Sequence, residues 1–120
     1  MGRMSTREGP KDRIALMQGT LDVLILRTLI FGKQHGQGIA RAIQDASGSE
    51  LLVDHGSLYP ALQRLEIQKW IKSEWGISDN NRKACFYTLT KTGRAQLLKE
   101  ASRWKRLTEA MGRVLEGLEG

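Results

Sequence analysis

Near the end of the chain Leu97, Ala101, Trp104, Thr108, Met111, Leu115 and Leu118 follow one another at spacings of 4, 3, 4, 3, 4 and 3 residues. Side chains repeating every 3.5 residues lie along one side of a helix and pack against a second helix. Thr90 is a good N-cap, so the pattern predicts one long helix from Lys91 to about Leu118 with a single polar seam member, Thr108. The whole chain has 120 residues, the size of one domain. It offers few spare helices, so a symmetry mate is the expected partner for the seam.

Upstream, residues 14 to 31 carry two apolar sets, one through Ile14, Met17, Leu21, Leu24 and Ile25, the other through Leu16, Val23, Leu26, Leu29 and Ile30. A helix apolar around most of its circumference is buried on two sides. One side serves the core and the other asks for a second subunit, an interface to which Ile14 and Leu21 are assigned along with the terminal seam. Residues 32 to 36 read as a turn. Ile39, Ala40 and Ile43 mark a short second helix closed by Ser47, Gly48 and Ser49, and a very short strand is expected at residues 51 to 53.

Pro60 locates the third helix, because a missing N–H is tolerated in a first turn. That places the N-cap at Gly56 or Ser57, with Ser57 the better side-chain acceptor. Leu58, Leu62 and Leu65 then face inward, while Ser57, Pro60, Gln63, Arg64 and Ile67 lie opposite with Tyr59 flanking them. Residues 70 to 76 and 85 to 89 are β-prone and flank a polar, basic stretch, which predicts a hairpin with a protruding tip. Trp70 and Trp75 are expected as core and sheet-face residues.

Three helices, a two-stranded hairpin and a long helix predict a mainly α fold with a small β wing, a winged helix-turn-helix plus a C-terminal dimerisation helix. The domain reading is a basic arm at residues 1–13, a winged helix-turn-helix at 14–90 and the dimerisation helix at 91–120. Nineteen Lys and Arg against 13 Asp and Glu leave a net charge of +6, which favours a polyanionic partner. In such a fold the third helix enters the major groove of duplex DNA, and Ser57, Tyr59, Gln63 and Arg64 supply hydrogen-bonding groups there. Arg82 and Lys83 at the hairpin tip are a second basic element. Arg41 on the second helix and Lys11 and Arg13 on the arm are further phosphate candidates.

Other classes find little support. No nucleophile, base and orienter, nor paired carboxylates, suggest an enzyme, and the glycines form no phosphate loop. His35 and His55 have no carboxylate or thiol at ligand spacing, so no metal or other cofactor is expected. A single cysteine, Cys85, reads as an inert strand residue rather than a redox sensor. Residues 21 to 31, the longest apolar run, are too few and are interrupted by Asp22 and Arg27, so no membrane partner is expected. With no signal sequence recognised, the cytoplasm is the expected compartment.

The segment Gly56-Ser57-Leu58-Tyr59-Pro60-Ala61-Leu62, then Leu65, Trp70-Ile71, Phe86-Tyr87-Thr88-Leu89-Thr90 and Gly93, resembles the PadR family of bacterial transcription regulators. The similarity runs from about residue 18 to 118. With one C-terminal helix, the chain is similar to the short branch that includes the lactococcal multidrug resistance regulator. The resemblance implies a homodimer held by the last and first helices that represses a nearby gene and is released by a small aromatic or hydrophobic effector. It also implies that Tyr59 and Pro60 belong to the recognition-helix motif, that Arg82 and Lys83 form the basic wing, and that Trp104 with Met17 contacts the effector. Three positions depart from the family pattern. Gln37 stands where Tyr is common, Lys69 where Gly is usual before the first strand, and Cys85 where a basic residue often precedes the aromatic pair. The rival reading is a winged helix that binds protein and no DNA.

Overall fold

A computed structural model describes residues 14–15 and 18–118. The elements are β1 (Ile14–Ala15), α1 (Gln18–Thr28) followed by a 3-10 turn (Leu29–Phe31), β2 (Gln34–His35), α2 (Gly36–Ala46), β3 (Leu51–Leu52), α3 (His55–Ile67), β4 (Ile71–Ile77), β5 (Lys83–Leu89) and α4 (Lys91–Leu115). This is the expected mainly helical fold with a small wing. The arm, Met17 and the side chain of Ile14 lie outside what is described.

The first helix is shorter than the expected span of 14 to 31. Ile14 and Ala15 instead pair in parallel with Leu51 and Leu52, so their backbone groups are satisfied across a ladder and α1 begins at Gln18. Residues 32 to 36 are not simply a turn either. Gln34 and His35 pair with Tyr87 and Phe86, giving the wing a third strand in the order β2-β5-β4. His35 then caps α2, its ring Nδ1 accepting the Gly38 N–H at 3.1 Å.

The N-cap of α3 is Asp54 rather than Gly56 or Ser57. Its carboxylate accepts the Ser57 N–H at 2.8 Å, placing a negative charge on the positive end of the helix. Pro60 therefore sits in the second turn, opposite the Gly56 carbonyl, where it forfeits one helical hydrogen bond. At the other end the Trp70 N–H reaches the Leu65 carbonyl at 3.0 Å and the Lys69 N–H reaches Glu66 at 2.9 Å. This pairing closes a helix through a left-handed residue, here Lys69 at φ 66°.

The core takes Leu21, Ile25 and Leu26 from α1, Ile39 from α2, Leu58, Leu62 and Leu65 from α3 and Ile71 from β4, all less than 2% exposed. Each such side chain contributes about 1.5–3 kcal/mol through burial. Two residues assigned to the subunit interface belong here instead. Leu21 is 1% and Leu97 is 2% exposed, because the start of α4 packs on α1 of the same chain. Leu97 is thus unavailable to a partner. Past Trp104 the helix leaves Leu107, Met111, Val114 and Leu115 exposed, as are Ala101 and Thr108 before and after it, and α4 ends at Leu115, short of the expected Leu118, which is also exposed.

Trp75 is a sheet-face rather than a core residue: it shares a pleat face with the buried Ile71 but is 67% exposed. Trp70, just before β4, is partly buried against the core.

Candidate nucleic-acid interface

Burial of Leu58, Leu62 and Leu65 turns Ser57, Pro60, Gln63 and Ile67 outward, where all four are exposed. Tyr59 leans instead toward α2. A Cβ on Gly36 would stand 2.6 Å from its hydroxyl, so the absence of a side chain there gives the ring its seat. His55 meets the other side of the ring edge-on, centroids 5.8 Å apart.

Between this ring and the wing runs a cleft of about 830 Å³. Tyr59 and Arg41 line one wall, and Arg82, Lys83 and Trp75 line the other. Asp45 and Asp79 also reach it, so its charged residues are three basic and two acidic. The wing wall is ordered by its own contacts. The Ser78 N–H donates to the Arg82 carbonyl at 2.8 Å, and Asn81 takes the left-handed turn conformation at φ 62°. The Lys83 ammonium lies 5.3 Å from the Trp75 ring centroid, a cation–π contact across the hairpin.

Arg64 does not join this set. Its guanidinium donates to Asp22 of α1 at 2.8 Å, so the ion pair ties the middle of α3 to α1. Burial raises the Asp22 carboxyl above its usual value, and the hydrogen bond and charge of Arg64 oppose that rise. Tyr87, on wing strand β5, is pushed up to about 12, first by burial and then by its hydrogen bond with Cys85.

The structure thus brings Tyr59, Arg41, Arg82 and Lys83 around one cleft and leaves Ser57, Pro60 and Gln63 on the adjoining outer face of α3. Trp104 is half-buried, packed against the core from α4. Sequence reasoning missed β2, which braces the wing, and the exposure of Trp75. It also missed Asp54, although an Asp just ahead of the helix is itself a cap signal. Among the described residues no three His, Cys, Asp or Glu side chains are placed to hold a metal, and no helix is long and apolar enough to cross a membrane.

The sequence model of the transcriptional regulator PadR-like family matches residues 25–99. A Lysinibacillus sphaericus protein designated X is 28% identical over 107 residues, covering 89% of this chain and 98% of its own. A PadR family transcription regulator from Clostridium difficile R20291 is 29% identical with a TM-score of 0.67, covering 79% of this chain and 97% of the other. A transcriptional regulator from Clostridium thermocellum shares the fold, with a TM-score of 0.74 at 24% identity over 82% of this chain and 93% of the other.

Proposed function

Because this chain belongs to the PadR-like family of transcriptional regulators, a family of regulators rather than enzymes, we propose that it binds operator DNA as a homodimer. In this reading α3 enters the major groove with Ser57, Tyr59, Pro60 and Gln63, while Arg41, Arg82 and Lys83 neutralise flanking phosphates. Arg64 acts through its bond to Asp22, holding the helix at its angle rather than touching DNA. The observation that carries the reading is the convergence of Tyr59 with three basic side chains around one cleft beside an exposed helix face. Repression, and release by a small aromatic or hydrophobic effector against Trp104, complete it.

Salt provides the test. Each phosphate neutralised contributes about −0.9 to the slope of log affinity against log salt. Replacing Arg82 and Lys83 together by Ala should weaken duplex binding and flatten that slope by roughly 1 to 4 units across a dimer. Affinity and slope unchanged in that variant would remove the wing from the interface. No measurable affinity for duplex DNA even at low salt would favour the protein-binding alternative.

A further inference from the structure

Between the C-terminal half of α1, its 3-10 turn and α2 lies a second hollow, about 570 Å³ in volume and within the range of small-molecule sites. Leu24, Ala42, Ile43, Ala46 and Leu51 make an apolar lining. Phe31 stands beside it with 77% of its surface exposed, and the Arg27 guanidinium lies 4.6 Å from the ring centroid. Lys33 is the other charged residue of the lining, and among the described residues no carboxylate lines the pocket. Among the described residues Arg27 makes no ion pair with an acid. Lys33 reaches Glu74 at 3.6 Å with both side chains more than half exposed, a contact weak enough to exchange.

An apolar hollow carrying two cations and no acid discriminates against cationic ligands and rewards an anion with an apolar body. We propose that this pocket binds a small apolar carboxylate, its body against Leu24, Ile43 and Ala46 and its charge between Arg27 and Lys33. Gln34 and Ala42 line both this pocket and the cleft of the proposed DNA interface. Gln34 also belongs to β2, which pairs with wing strand β5. An occupant therefore presses on the strand that braces the wing, and duplex affinity shifts when the pocket fills. That coupling rests on the DNA-binding reading above, whereas the binding itself does not.

Calorimetric titration of the full chain with octanoate and with naphthoate, in the absence of DNA, separates the two. At least one of these carboxylates is expected to bind once per chain, and its alcohol counterpart about tenfold or more weakly, the loss that one charged contact represents. R27Q/K33Q should reduce carboxylate binding by a similar factor, and A46F, which fills the hollow, should abolish it while thermal unfolding shows both variants folded. Neither carboxylate binding in the millimolar range overturns the proposal. So does binding that survives A46F and disappears in W104A, which would place the ligand on the α4 face. With binding intact, duplex affinity that does not move on saturation overturns the coupling, and the salt experiment still judges the DNA interface separately.

Discussion

Lys69 holds a left-handed backbone, φ 66°, that costs a residue with a Cβ about 1–2 kcal/mol. Glycine escapes that cost and loses part of the gain to its larger unfolded-state entropy. K69G is therefore expected to raise stability by about 0.5–1 kcal/mol, read as a higher denaturant midpoint at unchanged slope. Tyr87 makes a pH prediction. Its folded value of about 12 lies above the ordinary 10.0, so the native state favours the protonated phenol. The stability this contributes is fully present below pH 10 and is lost as pH rises toward 12. Y87F should show a shallower alkaline loss than the wild type across that window. At this scale the sequence reports unevenly. The departure at Lys69 was visible as a missing glycine, and the structure supplies its physical content. Arg64 read as a groove residue because it lies opposite Leu58, Leu62 and Leu65, and nothing local announces a partner 42 positions away at Asp22.

Elements meet at two glycines. Gly36 opens α2 directly against the Tyr59 ring, so in G36A the ring, as the far end of a side chain, gives way and the backbone stays. Stability should change by less than about 1 kcal/mol while duplex affinity falls about tenfold, a split that a purely structural glycine would not produce. Gly93 is different. A Cβ there would lie 1.9 Å from the Trp70 carbonyl, which also accepts the Thr90 N–H at 3.0 Å, so backbone must move and G93A should be strongly destabilising. The order of the four helices and the hairpin was legible because each is long enough to show its own period. The ends of elements were not. β1 and β2 are two residues each, too short to show a period, and exist because distant strands satisfy their backbone groups.

At the scale of the molecule, α4 is a 25-residue helix that packs on its own chain as far as Trp104 and leaves Leu107, Met111, Val114 and Leu115 exposed beyond it. The long helix was legible from its apolar spacing, but which of those side chains the chain itself buries was not. Leu97 is consumed internally, and exposure extends to Leu107 and Val114, off the expected stripe, because the packing of α4 on α1 sets its rotation. Glutamates at Met111 and Val114 should therefore leave the chain folded, since both are exposed, and raise the concentration at which it dissociates, as measured by sedimentation. In the proposed dimer, two chains joined in this way would present two copies of α3 to one face of a duplex. Selection of bound sequences from a random duplex pool, followed by footprinting, tests that arrangement. The expected result is an inverted repeat with half-site centres about one helical turn, roughly 34 Å, apart. Enrichment of a single undivided site, or of no sequence at all, would contradict it.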